Sequence, residues 1–129
     1  MTESAKTMRA VRRMENGDPT KVLKVLEVPV PEPGLGEVLV RVSTASVNPI
    51  DYKIINGMFP IKGEVPAQGW GTGSDFSGTI EKLGEGVTNF KVGDQIMANG
   101  LRHDPIAEYA VIPAYKAVNK PANMPVEQA

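Results

Sequence analysis

The chain has 129 residues, a formal net charge of −1 at pH 7, 41% hydrophobic residues and 22% charged residues. These values are typical of one soluble globular domain, and the near-neutral charge argues against nucleic acid or an anionic membrane as a main partner. With no cysteine, the sequence excludes disulfides, thiolate catalysis and thiolate metal sites. Because it shows no apolar run of membrane-spanning length and no secretory signal, we predict a cytoplasmic protein.

Short β-type runs separated by Gly and Pro turns predict a mainly β domain, either a barrel or a sandwich. Residues 1–7 are interpreted as a disordered leader. Strands are then predicted, in chain order, at 8–14, 22–28, 37–47, 76–83, 95–98 and 106–112. The longest of them places Val38, Val40 and Val42 on one face, as expected of a strand that packs one face on a core.

One segment, residues 49–56, is predicted to be a short helix. Asn48 is a favourable N-cap, Pro49 suits the first helical position, and Asp51 lies three residues after the cap. A second helix start is predicted at Pro125, but the sequence ends after one turn. An isolated helix of that length is unstable, so residues 123–129 are interpreted as the truncated start of a link to a further domain.

Three motifs carry a resemblance to a known family when they occur in this order and spacing. They are residues 31–42, residues 46–51, and residues 74–94 followed by Ala107 to Ala110. Together they resemble the N-terminal GroES-like domain of the medium-chain dehydrogenase/reductase superfamily, in its zinc-free quinone oxidoreductase and enoyl reductase branch. The resemblance implies a GroES-like β-barrel with short helices over residues 8–122, in a chain that lacks the Rossmann domain.

The resemblance also concerns metal binding. Zinc-dependent members of the superfamily place a cysteine just after the long strand and a His-Glu pair before the next strand. Here Asn48 holds the first position and Ser74-Asp75 the second. A catalytic zinc needs about three protein ligands, and the single histidine, His103, lies in a polar loop where it is interpreted as merely solvated. We therefore predict that no transition metal is bound.

Four residues are candidates for the site. In the resembled family the asparagine at the position of Asn48 lies near the nicotinamide, which adds a cofactor contact to its predicted capping role, and Ser74 is also expected near the cofactor. Relatives often have a tyrosine at the position of Phe59, and the hydroxyl of that tyrosine can approach the substrate. Because Phe59 lacks that hydroxyl, Tyr52 and Lys53 become the candidate catalytic donors, although both also fit as surface residues of a short helix.

The activity that the resemblance implies for a complete protein is hydride transfer from NADPH to a quinone or an enone. The glycines around Thr72 are not a dinucleotide fingerprint, because that motif follows a strand and opens a helix. We therefore predict a catalytic-domain portion that binds no cofactor tightly, is inactive alone, and forms a homo-oligomer through an uncovered apolar edge. The alternative that stays open is a stand-alone GroES-like binding or assembly module that binds a partner or a small ligand without catalysis.

Overall fold

The computed structural model describes residues 6–58 and 65–129. In these ranges the strands are β1 (Thr7–Arg12), β2 (Lys24–Pro29), β3 (Glu37–Ala45), β4 (Asp75–Leu83), β5 (Gln95–Asn99), β6 (Tyr109–Pro113) and β7 (Ala117–Asn119). The helices are α1 (Pro19–Val22) and α2 (Pro49–Ile55), with single 3₁₀ turns at Ala114–Lys116 and Val126–Gln128. None of the helices in this part of the chain is long and apolar enough to cross a membrane.

The strands form two antiparallel sheets. β1 and β2 make a hairpin, and the other five strands form a sheet in the order β6-β3-β4-β5-β7. Main-chain hydrogen bonds join β1 to the segment that leads into β6, from Val11 N to Ile106 O at 3.0 Å and from Glu108 N to Arg9 O at 3.1 Å. The prediction of a mainly β domain is therefore confirmed.

The main core lies on one face of the five-stranded sheet. Val38 and Val40 of β3 are fully buried, as predicted, and Val42 packs partly buried against the same cluster. They meet the largest fully buried side chains of the neighbouring strands, Ile80, Ile96 and Ile112. Burying each such side chain contributes about 1.5–3 kcal/mol, so this cluster is a principal source of the domain's stability.

Several elements differ from the sequence-based prediction. α1 and β7 were not predicted. β6 begins at Tyr109 and not at Ile106, because residues 106–108 bond across to β1 before the strand turns into the larger sheet. Thr7, the last residue assigned to the leader, is already part of β1, and the carbonyl of Lys6 accepts a hydrogen bond from Val30 N at 2.9 Å.

The C-terminal segment folds back onto the sheet. The carbonyl of Val126 lies 3.2 Å from Thr44 Oγ1 and 3.1 Å from Ser77 Oγ, and the two hydroxyl oxygens are 2.6 Å apart. Each hydroxyl has one proton, so two of these three contacts are hydrogen bonds at any time. Ser77 is fully buried, so this arrangement satisfies polar groups between the 3₁₀ turn and strands β3 and β4.

Candidate functional site

The candidate site is a group of polar residues where β3 ends and β4 begins. Ala45 pairs with Phe76 in the antiparallel register of these strands, so the residues just after Ala45 lie beside the residues just before Phe76. Four residues form this group, which we call the polar cluster: Ser46, Asn48, Ser74 and Asp75. Sheet topology therefore brings together Asn48 and Ser74, the two predicted cofactor contacts, although 26 positions separate them in the chain.

The side-chain amide of Asn48 is the centre of the polar cluster. Its Nδ2 donates to Ser74 Oγ at 2.8 Å, and it lies 3.2 Å from Ser46 Oγ and 3.3 Å from Asp75 Oδ2. A carboxylate only accepts hydrogen bonds, so the amide atom that faces Asp75 must be the NH₂ group. Ser74 is 4% exposed, and its bond to Asn48 therefore satisfies a buried hydroxyl.

α2 begins as predicted, with Asn48 as its N-cap. Asn48 and Asp51 are arranged as a capping box, and Asp51 Oδ2 accepts the N–H of Asn48 at 2.8 Å. In this box the Asn48 side chain faces the N–H of Asp51, which donates to the main-chain carbonyl of Asn48 at 2.9 Å. The NH₂ group of the same side chain is directed to the polar cluster.

The two candidate donors lie on the exposed side of α2. Tyr52 is 47% exposed and Lys53 is exposed as well. Neither side chain hydrogen-bonds to another residue in the described part of the chain, and neither joins the polar cluster. Phe59 lies outside the described residues. The structure thus leaves Tyr52 and Lys53 accessible to a molecule approaching α2 from outside.

The interpretation of His103 as a merely solvated side chain is wrong. It is half-buried, and its Nε2 lies 3.2 Å from Lys116 Nζ. Burial and the Lys116 ammonium lower the pKa of His103, against the smaller opposing effects of Asp104 and Glu37. A neutral imidazole nitrogen can accept the Lys116 N–H, whereas an imidazolium would face another cation. The contact is therefore specific to the neutral form of His103.

A cavity of about 330 Å³ adjoins the polar cluster. Two of its lining residues are neighbours of that cluster, since Asp51 bonds to Asn48 and Gly73 precedes Ser74. Its apolar wall is made by Ile54, Ile55, Trp70 and Leu101, and its charged wall by Arg13, Asp51, Arg102 and Asp104. A second cavity, of about 410 Å³, shares Arg102 and Asp104 with it but includes no neighbour of the polar cluster.

Asp104 and Gly71 form the tightest part of the cavity wall. A Cβ atom at Gly71 would lie 2.3 Å from the Cβ of Asp104, so only glycine allows the two segments to come this close. Asp104 has a φ of 57° and Arg102 one of 70°, which is the left-handed region that is costly for these residues. Burial raises the pKa of Asp104, and Arg12, His103 and the Gly71 N–H act in the opposite direction.

Sequence reasoning did not find the charged wall of this cavity. Arg13 and Trp70 pair through two main-chain hydrogen bonds of 2.9 Å, which places the Arg13 guanidinium carbon 5.4 Å from the centre of the Trp70 ring. The available signal was the Arg12-Arg13 pair, where two consecutive arginines interrupt the apolar and polar alternation of the first strand. The chain's single tryptophan was a second signal.

The donor set of the polar cluster does not suit zinc. An amide NH₂ group stands at its centre with three oxygens around it, and a positively polarised donor there occupies the place that a cation would need. Within residues 6–58 and 65–129 no three His, Asp or Glu side chains are grouped so that they could hold a metal ion.

Comparison with known families matches residues 34–122 to the alcohol dehydrogenase GroES-like domain. The chain therefore belongs to this family, the N-terminal domain of medium-chain dehydrogenases and reductases, and the family resemblance of the sequence is confirmed. It is 35% identical over 128 residues to the chloroplastic quinone-oxidoreductase QR1 of Triphysaria versicolor. That match covers 92% of this chain and 36% of the relative, so the chain spans about a third of the relative's length.

Two solved structures share the fold. A mycobacterial protein in complex with NADPH is 33% identical, with a TM-score of 0.79, and the match covers 93% of this chain and 36% of that one. A thermostable alcohol dehydrogenase from Pyrobaculum aerophilum, solved with bound cobalt and zinc, is 31% identical with a TM-score of 0.77, covering 92% of this chain and 43% of that one. The GroES-like fold thus occurs both in a protein that binds NADPH and in one that binds metal.

Proposed function

We propose that this chain is the catalytic-domain portion of a zinc-independent, NADPH-dependent oxidoreductase that reduces quinones or activated alkenes. The observation that carries the proposal is the 2.8 Å hydrogen bond from Asn48 to Ser74. In the zinc-dependent type of site these two positions hold metal ligands, and here an amide and a hydroxyl satisfy each other. The similarity to a quinone oxidoreductase supports the same substrate class.

The polar cluster fits a wall of the nicotinamide site. Asn48 is half-buried, and its side-chain oxygen faces the Asp51 N–H in the capping box. An amide oxygen has a second lone pair, which can accept a hydrogen bond from a carboxamide. Ser74 is buried and would hold Asn48 in place through the bond between them. NADPH, when bound, supplies the hydride, while the protein supplies orientation and hydrogen-bond donors for the developing enolate oxygen.

Tyr52 and Lys53 are proposed as the donors for that oxygen. Both side chains are exposed on α2 within four or five positions of Asn48, so a substrate that contacts the outer side of this helix could meet either group. An ammonium or a phenol hydroxyl can each donate a hydrogen bond to an oxyanion. Their separate contributions are distinguishable because Tyr52→Phe removes only a hydroxyl and Lys53→Met only a charge.

The pyrophosphate and ribose of NADPH require a second domain in this proposal. The phosphate-binding loop of dinucleotide sites lies between a strand and a helix, whereas the glycines around Thr72 lead into β4. We infer that the chain alone holds the cofactor too weakly for turnover, and that the complete protein acts in the cytoplasm as a homo-oligomer on a small-molecule substrate.

The test is to join the chain at Ala129 to a Rossmann domain from a quinone oxidoreductase and to follow NADPH oxidation with a simple quinone. We expect activity in the joined protein and none in the isolated chain. Asn48→Ala and Ser74→Ala should raise the KM for NADPH, while Ser43→Ala, an exposed serine on β3, should leave it unchanged. Turnover by the isolated chain, or an unchanged KM in both site variants, would contradict the proposal.

A further inference from the structure

The cavity beside the polar cluster contains a buried cation, Arg13, that lies within salt-bridge distance of no acidic group among the residues that the structure describes. Arg13 is 7% exposed. Its Nη1 donates to the neutral side chain of Asn16, and its Nε is buried without a hydrogen-bond partner among the described residues. Burial lowers the pKa of Arg13, and the nearby Asp104 charge only partly offsets this. Burying a guanidinium without an anion is costly, which indicates that a ligand can complete the site.

We propose that this cavity binds a small, mainly apolar carboxylic acid whose carboxylate pairs with Arg13. The proposal assigns a ligand class to the cavity itself and does not depend on cofactor binding or on hydride transfer. Its failure would therefore leave the proposed function untouched.

The charges that line the cavity favour an anion at Arg13. Asp104 is paired with Arg12, whose Nη1 lies 3.8 Å from its Oδ2. Asp51 accepts the Asn48 N–H in the first turn of α2, a position that favours a negative charge. Arg102 is exposed at the surface. Among the described residues that line the cavity, Arg13 is therefore the buried cation that no anion within salt-bridge distance compensates.

The rest of the cavity suits an apolar body. Ile54, Ile55 and Leu101 line it together with the Trp70 ring, which is stacked near Arg13. A volume of about 330 Å³ is at the lower end of the roughly 300–1,000 Å³ typical of small-molecule sites, so the ligand would be about the size of one ring. A guanidinium with free N–H donors is well suited to a carboxylate because the two planar groups can bond side by side.

The chain carries its own reporter for this test. Trp70 is the single tryptophan in the sequence and it lines the cavity, so intrinsic fluorescence reports on the site. Benzoate is titrated into the whole chain, and benzyl alcohol serves as the neutral probe of similar size. We expect a saturable change with benzoate and binding of benzyl alcohol that is at least tenfold weaker, about 1.4 kcal/mol.

Three variants locate the carboxylate. Arg13→Met should weaken benzoate binding at least tenfold, while Arg13→Lys, which keeps the charge but loses the planar fork, should give an intermediate loss. Arg9→Met is the matched control, because Arg9 lies on β1, which ends just before Arg13, and has a largely exposed side chain. The benzoate affinity of Arg9→Met should equal that of the wild type. Circular dichroism establishes that each variant is folded.

Equal binding of benzoate and benzyl alcohol by the wild type would overturn the proposal, and so would unchanged benzoate affinity in folded Arg13→Met. Absence of a saturable signal with benzoate in the wild type, checked by ligand-observed NMR, would do the same. If Arg13→Met does not fold, the wild-type comparison of the two probes and the Arg13→Lys variant still decide the outcome.

Discussion

The Asn48 amide donates to the Ser74 hydroxyl at 2.8 Å and thereby connects the residue that opens α2 to the residue that precedes β4. The same NH₂ group lies 3.3 Å from the Asp75 carboxylate. Asn48 is therefore bound to its surroundings as a donor, and the effect of replacing it depends on whether the new side chain donates or accepts.

Asn48→Ala should destabilise the domain by about 1–3 kcal/mol, because the buried Ser74 hydroxyl loses its partner. Asn48→Asp should be at least as harmful, since it removes the donor and places a second carboxylate beside Asp75. The free energy of unfolding from urea denaturation measures both effects.

The double variant Asn48→Asp/Asp75→Asn supplies the control for this explanation. It restores one amide and one carboxylate to the pair, so it should recover part of the stability lost in Asn48→Asp. Asn119→Ala, at an exposed position of β7, should be close to neutral. A double variant no more stable than Asn48→Asp would show that the carboxylate contact is not the cause.

Gly71→Ala should cost about 1–3 kcal/mol, the usual range for forcing an extra methyl group into a packed site. The added Cβ would lie 2.3 Å from the Cβ of Asp104. In an Asp104→Gly background that contact is absent, so the cost of Gly71→Ala should be smaller there. A double-mutant cycle by thermal or urea unfolding measures the difference, and strictly additive effects would exclude a clash between these two positions.

The sequence and the structure agree best where local patterns determine the conformation. Val38 and Val40 alternate into the core as predicted, and α2 begins at Pro49 as predicted. Asn48 and Ser74 were singled out separately, but their contact depends on the register of β3 with β4, which no local pattern contains. The same reason explains why the pairing of Arg13 with Trp70 was missed.

His103 should make the domain less stable in mild acid. Its pKa is lowered by burial and by Lys116, so the unfolded chain takes up the proton first as the pH falls below the ordinary value of about 6.5. The free energy of unfolding is therefore retained above that pH and decreases as the pH is lowered further. When the pH is lowered from above this value to below it, the free energy of unfolding should fall less in His103→Gln than in the wild type. Urea denaturation at the two pH values measures this difference.

The titration of His103 can be followed directly by NMR, since it is the single histidine. Lys116→Met removes the neighbouring cation and should raise the pKa of His103, whereas Lys120→Met should not. A His103 pKa at or above its ordinary value in the wild type would contradict this account of the contact.

Tag-free protein should contain no stoichiometric zinc or other transition metal, because the amide at the centre of the polar cluster donates hydrogen bonds where a metal would need a lone pair. Elemental analysis by mass spectrometry after exhaustive dialysis measures this. One equivalent of zinc that survives dialysis and is lost in Ser74→Ala would show that a metal binds at this position after all.

The strand order β6-β3-β4-β5-β7 has a consequence for how the domain folds. β1 and β2 follow each other in the chain and can pair early. β3 pairs with β4 and with β6, and its β6 partners are far away in sequence, since Glu37 and Pro113 are 76 positions apart. Closing such long loops before the contacts form slows folding. The β3–β4 pairing closes a shorter loop than β3–β6 does, so the residues that meet at Asn48 and Ser74 can assemble while the far edge of the sheet is still unformed.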